Sequence, residues 1–299
     1  MKKMLRFSIL AFFLAVPPLY AQETATHWIK LGDDFHRDIS GLVCLEKTDD
    51  GGSFLVAHDN KYSNETRIGL VVLSGDHLEY SPVPWPTGVT KLVDIEAFTA
   101  MPDGEGYLIT TSKGDAAWLK IGGDPLAISS VETFKLPVDP RPKPQIEGLY
   151  LFKRGENEWL IYADRGSDDR PGTLAYSKFI RDKMKVKLLG CVKISVPWPT
   201  MSEVRHISDL LITDDGTLYI SAASEPSNDG PFDGAIYIAG AFRVDDENQL
   251  QFDSKPLSEA LYRFPGKKIE GFDILPGENG GFVVGTDDEN LGSYLGIIK

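Results

Sequence analysis

One short phrase recurs five times along the 299-residue chain, and it constrains the fold more than any other feature. It reads Ile39-Ser40-Gly41-Leu42, Ile95-Glu96-Ala97-Phe98, Ile146-Glu147-Gly148-Leu149, Ile207-Ser208-Asp209-Leu210 and Ile269-Glu270-Gly271-Phe272. Each copy is Ile, then Ser or Glu, then a small or turn-tolerant residue, then a large apolar one. The copies begin 56, 51, 61 and 62 residues apart, so this is a repeat with loops of variable length. After each phrase come a Gly- or Asp-bearing turn and a second apolar segment, as in Asp214-Asp215-Gly216 followed by Leu218-Tyr219-Ile220. Those are hairpin signals. Hairpins repeated at this period, without convincing helices, mark a radial β array. The sequence therefore predicts an all-β, five-bladed β-propeller with four-stranded blades.

The fifth repeat reaches Ile298-Lys299 with no fourth strand of its own. His27-Trp28-Ile29-Lys30-Leu31-Gly32 resembles the outer strand Glu132-Thr133-Phe134-Lys135-Leu136-Pro137 and, like it, leads into an inner-strand phrase. The N-terminal strand is therefore expected to close the last blade, which removes the exposed edges of an open array. Residues 22–299 form a single domain on this reading. Residues 1–21 read as a signal peptide: Lys2, Lys3 and Arg6 precede the apolar run Phe7 to Val16, and Leu19-Tyr20-Ala21 offers a cleavage site. That run falls well short of the ~20 residues a membrane span requires. The expected product is periplasmic or secreted, without a membrane span, and monomeric.

Loss of the signal would move the formal charge from -13 to -16, which argues against a nucleic-acid partner, since phosphate binding runs on Lys and Arg. Cys44 falls on the inner strand of the first blade and Cys191 on the outermost strand of the third, too far apart to bridge; both are expected to be buried free thiols. Val83-Pro84-Trp85-Pro86 and Val196-Pro197-Trp198-Pro199 precede the second and fourth phrases. They read as hydrophobic loop anchors, with substrate-stacking platforms as the other reading.

Side chains alternate across a strand, so with the flanking Ile and Leu or Phe in the sheet packing, the residue between them faces the central channel. Those residues are Ser40, Glu96, Glu147, Ser208 and Glu270. Three carboxylates around a narrow axis repel one another, and no Lys or Arg occupies an equivalent position to pair with them. The alternatives are raised carboxylate pKa values in a water-filled channel, or a cation. Five oxygen donors without His or Cys suit Ca²⁺, which takes about 6–8 oxygens, and not zinc or copper.

The order Ser, Glu, Glu, Ser, Glu on successive inner strands resembles the calcium-activated nucleotidase (apyrase) family, as do Ser40-Gly41-Leu42 and Glu270-Gly271-Phe272. That resemblance implies a five-bladed propeller with one axial Ca²⁺ held by Ser40, Glu96, Glu147, Ser208 and Glu270. The same short phrases also resemble exported bacterial propellers described as phytase-like with esterase-like activity. Two positions depart from the apyrase pattern: His58-Asp59-Asn60 stands where that family carries Asp-Asp-Arg, and Ala97 stands where it has Trp.

Second strands run back to the channel mouth, so their ends form a polar rim. For a phosphorylated small-molecule ligand, His58, Lys113, Arg165 and His206 are the expected binding residues, and Asp59, Asp164 or Asp287 the general base. Asp164-Arg165 reads equally well as a local salt bridge. No Gly-x-Ser-x-Gly elbow, His-Glu-x-x-His or phosphate-cradling loop is present. Two functions follow: an exported Ca²⁺-dependent phosphohydrolase, or a non-catalytic ligand- or protein-binding propeller whose central cation is structural.

Overall fold

The computed structural model describes residues 22–23, 27–33, 35–139, 143–277 and 280–298. The expected signal peptide lies outside them. The described chain is all-β apart from three single-turn 3₁₀ helices, and none of its helices is long and apolar enough to cross a membrane.

Five antiparallel sheets follow one another in chain order. Blade 1 is built from Gly41–Lys47, Gly51–Ala57, Ile68–Ser74 and His77–Pro82; blade 2 from Ile95–Ala100, Tyr107–Thr111, Asp115–Gly122 and Ala127–Lys135. Blade 3 comprises Ile146–Arg154, Asn157–Asp164, Gly172–Ile180 and Lys185–Ile194. Blade 4 begins with Val204–Ile212, Thr217–Ser224 and Asp233–Val244. Its fourth position is split between Leu250–Ser254 and Tyr262–Pro265, both paired to Asp233–Val244, and Gln22–Glu23 adds in parallel to the second of these. Blade 5 holds Ile269–Ile274, Phe282–Thr286, Ser293–Ile298 and, as its outer strand, His27–Gly32. Trp28 lies opposite Gly296 and Lys30 opposite Tyr294, so the N-terminal strand closes the ring as the sequence predicts.

Each inner strand contacts the inner strands of both neighbouring blades, and the contacts return from blade 5 to blade 1. The core is accordingly not one mass but five clusters, one per blade interface. Between blades 4 and 5, for example, Leu211, Ile236 and Phe264 meet Ile269, Phe272 and Val284. Strand composition follows from this geometry. Gly51–Ala57 is buried along almost its whole length because both faces meet another blade, whereas Lys185–Ile194 and His77–Pro82 sit at the splayed rim and carry exposed Lys, Glu and His. The Trp-bearing loops act as anchors: Trp85 and Trp198 pack against the clusters between blades 1 and 2 and between blades 3 and 4, and Arg263 stacks over Trp198 at 5.2 Å. Both cysteines are free and lie on the strands expected, but their burial differs from expectation: Cys44 is half-buried and Cys191 exposed, because an outermost strand has a neighbour on only one edge.

Candidate functional site

In blades 2, 3 and 5 the recurring phrase is a β-bulge. In blade 2, Ile95 pairs with Thr111 and Ala97 with Thr110, leaving Glu96 as an extra residue with no partner opposite. Glu147 and Glu270 are extra in the same way in blades 3 and 5. In blade 4 the irregularity runs from Arg205 to Asp209 and contains Ser208. Ser40 directly precedes its strand and gives its N–H to Ala57, the partner of Gly41. A bulge takes its extra residue out of the ladder and re-aims the side chain, so this device, rather than simple alternation, presents the Ser or Glu.

The small third residue has its own cause. A Cβ on Gly41 would stand 2.7 Å from the backbone N of Phe98, one on Gly148 2.9 Å from Leu210 Cδ2, and one on Gly271 3.1 Å from Leu42 Cβ. Here the inner strands of adjacent blades approach most closely. In blade 4 the position is Asp209, which uses its carboxylate to accept the N–H of Phe272 on the next inner strand.

The five candidate cation ligands find different partners. Ser40 Oγ donates to the Ile95 carbonyl at 2.6 Å. Arg165 donates to Glu147 Oε1 at 2.7 Å and Arg205 to the same oxygen at 3.4 Å. Arg205 also pairs with Glu270 and Glu225. Lys268 is fully buried, with Nζ 2.7 Å from Glu289, 2.8 Å from Asp287, 3.1 Å from Glu225 and 3.4 Å from Glu270. No Lys or Arg occupies an equivalent position of the phrase, as the sequence reads, but cations from outside it reach these glutamates and pair with them. Arg205 stands two residues before Ile207 and Lys268 one before Ile269, just outside the repeated phrase. Glu147 Oε2 and Ser208 Oγ are buried without a hydrogen-bond partner, so oxygen donors remain at the centre.

Glu96 belongs to a different group. Its carboxylate, with those of Asp59 and Asp94, offers oxygens lying within 4.8 Å of one another. Lys61 is the ion-pair partner among the described residues, 3.2 Å from Asp94 and 3.7 Å from Asp59, and its side chain is largely in solvent. Burial, with help from the charge on Asp287, pushes Asp59 up to about 6. Burial and then Glu147, Asp59 and Asp94 push Glu96 well above the usual carboxylate range. Asp94 adopts φ 64°, a left-handed conformation uncommon outside glycine, and its carboxylate accepts the hydroxyl of Ser112. Asp168, Glu203 and Glu289 on the same rim also have positive φ. A second acidic group, Asp38, Asp287 and Glu289, surrounds Lys268. Burial and then Asp287 drive Asp38 up to about 12, while Lys268, against the opposing effect of burial, holds Asp287 below the ordinary range.

The rim residues separate into engaged and available ones. His58 is fully buried: its Nδ1–H donates to the Asp38 carbonyl at 2.8 Å and its Nε2 accepts from Tyr80 at 3.0 Å, so it is a structural residue and not a ligand-facing one. His206 likewise donates from Nε2 to the Asp168 carbonyl at 2.6 Å and accepts the Val196 N–H on Nδ1. Asp164 accepts from Gln145, Gly166 and Arg170, which fixes a turn and leaves its carboxylate engaged. Lys113 is exposed, without an ion pair among the described residues. Asp287 is held by Lys268. Asp59, a third exposed at its side chain, is the expected base that remains available. Arg165 and Arg205, with Glu225, line a polar cavity of about 140 Å³ at the mouth.

The sequence reading missed Asp38, Asp94, Arg205 and Lys268. Three of them immediately precede Ile39, Ile95 and Ile269, so taking the repeat one residue further toward the N-terminus exposes them.

No family model matches this chain, and no curated protein matches it in sequence. Among solved structures it is similar to an endo-1,4-β-xylanase from Bacteroides thetaiotaomicron, at TM-score 0.43 and 14% identity over 73% of this chain and 76% of that one. It is also similar to the α-L-arabinanase of Cellvibrio cellulosa, at TM-score 0.39 and 15% identity over 70% of this chain and 75% of that one. A GH43 β-1,3-galactosidase gives TM-score 0.40 and 10% identity over 85% and 88% of the two chains. These likenesses are of the propeller fold.

Proposed function

We propose that this propeller is a calcium-dependent phosphohydrolase of small phosphorylated molecules, working at the mouth of its channel in the exported compartment to which the N-terminal segment would direct it. The observation that carries the proposal is the half-buried trio Asp59, Asp94 and Glu96, three hard-oxygen donors whose ion-pair partner among the described residues is the largely exposed Lys61. Glu147 and Glu270 also present oxygens toward the centre, but Arg205 and Lys268 already neutralise them. The seat best suited to a dication has therefore moved off the five-residue ring toward blades 1 and 2. Calcium bound there supplies Lewis-acid polarisation of a phosphoryl oxygen.

The chain's own groups do the rest. Asp59 would hold the cation together with Asp94 and Glu96, and its remaining oxygen would orient the attacking water. Arg165 lines the polar cavity, where its guanidinium N–H groups not used on Glu147 suit phosphate oxygens, while Arg205, bonded to Glu147, Glu270 and Glu225, forms the cavity wall. The assay is phosphate release from a nucleotide and phytate panel, with calcium or with chelator. Calcium-dependent release is expected, falling at acid pH as the seat's carboxylates, raised by burial, protonate and lose calcium, and dropping at least about 10-fold in Asp59→Asn, which removes a ligand. Release that survives both chelator and Asp59→Asn would overturn the assignment.

The second reading is a non-catalytic propeller with a structural cation, favoured by the dense ion pairing around Lys268. It predicts no release from any ester, with chelator lowering only the melting temperature.

A further inference from the structure

Phe35, Tyr62, Val89, Val93 and Leu291 are large apolar side chains left exposed on connections that open at the channel mouth, in the sector of blades 5, 1 and 2 that holds Asp59, Asp94 and Glu96. Two of them are brought together by a buried cation. Arg67, 2% exposed, donates from Nε to the Leu92 carbonyl at 2.7 Å and from Nη2 to the Tyr62 carbonyl at 2.9 Å. Two acceptors of one guanidinium are close neighbours, so loop 60–67 of blade 1 lies against the connection into blade 2, where Val93 follows Leu92. Lys91 Nζ adds bonds to the Ser63 and Glu65 carbonyls at 2.9 and 3.1 Å, and Glu65 accepts the Tyr62 N–H at 2.7 Å. The tip of a surface loop is thus fixed by two cations spent on its backbone. The Tyr62 side chain it presents belongs to a residue 71% exposed, with no partner for ring or hydroxyl among the described residues. Lys61, the residue before it, reaches Asp94 at 3.2 Å and Asp59 at 3.7 Å, and Val93 directly precedes Asp94. A rigidly mounted apolar pair therefore borders the carboxylate trio.

We infer that Tyr62 and Val93 bind the organic part of the substrate, which is a phosphate ester of an aromatic alcohol; this rests on the reading of the trio as the calcium seat for its phosphate. Apolar groups exposed together beside a polar site mark binding surfaces. A tyrosine on a fixed backbone offers large contact area at low entropic cost, and a second ring stacks on it offset or edge-on. Tyr62 and Val93 adjoin Lys61 and Asp94 in the chain, so the group they cover is the one bonded to the ester oxygen. In an aryl ester that group is the ring itself. The ribose of a nucleotide or the polyol of phytate would instead set hydroxyl groups against apolar side chains that cannot bond them.

Two phosphonates, which cannot be hydrolysed, test this by calorimetry on the whole protein with calcium present: phenylphosphonate and methylphosphonate, alike in the anion and different in the group it carries. Phenylphosphonate is expected to bind about tenfold more tightly. Tyr62→Ser should remove that preference while changing the affinity for methylphosphonate less than twofold, and Tyr62→Phe, which keeps the ring, should retain it. Circular dichroism checks that these variants of an exposed side chain fold. Equal affinity of the wild type for the two phosphonates, or a preference that persists in Tyr62→Ser, would overturn the assignment and leave the calcium seat standing. Failure of both phosphonates to bind would overturn the seat as well.

Discussion

His58 and Asp59 are neighbours in sequence with opposite fates. His58 is buried with both ring nitrogens engaged, and burial lowers it to about 4. The unfolded chain takes up its proton near 6.5, so the stability from His58 is present above that pH and is lost as the pH falls from about 6.5 toward 4, by up to roughly 3 kcal/mol. Urea unfolding of wild type and His58→Gln at pH 7 and 4.5 measures this; the difference between the two proteins should shrink at the lower pH. Lys268 sits at the other extreme, a buried ammonium among four carboxylates. Lys268→Met leaves those charges uncompensated and is expected to cost about 3–5 kcal/mol in the same measurement. The residue types at the rim were legible in the sequence. Whether a histidine faces solvent or a carbonyl was not, because Asp38 and Tyr80 reach His58 from distant parts of the chain.

At the scale of the element, the Ile-Ser/Glu-small-apolar phrase opens an inner strand and in blades 2, 3 and 5 is a bulge there. The sequence marked its position five times, and alternation correctly singled out the second residue. The bulge itself was invisible, since it is defined by a partner strand. It explains why the third position is small: adjacent inner strands meet there. Gly41 is the most constrained copy, because the obstacle is backbone and not a movable side-chain end. Gly41→Ala is therefore expected to destabilise by about 1–3 kcal/mol, as overpacking does. Gly148→Ala, which meets the tip of Leu210, should cost less. Melting temperatures of the two variants give the comparison, and equal effects would contradict the close-approach account.

At the scale of the whole molecule, five interface clusters replace a single core, and the ring holds because His27–Gly32 completes blade 5. Deleting residues 27–32 uncovers the edge of Ser293–Ile298 and removes Leu31, which is 4% exposed, together with the packing of Trp28. A loss of at least about 3 kcal/mol is expected from those two side chains, with association through the free edge; unfolding curves and size-exclusion chromatography report the two effects. The amino-acid sequence by itself determined the number of blades, the strands and the closure, because repeat spacing and hydrophobic patterning are local properties that a closed sheet array must satisfy. Only the tertiary structure decided which charges meet. Arg205 and Lys268 lie outside the repeated phrase, yet closure brings them onto Glu147, Glu225 and Glu270 and leaves Asp59, Asp94 and Glu96 as the acidic group with the least compensation. Charge pairing depends on distances across the ring, and those exist only once all five blades are assembled.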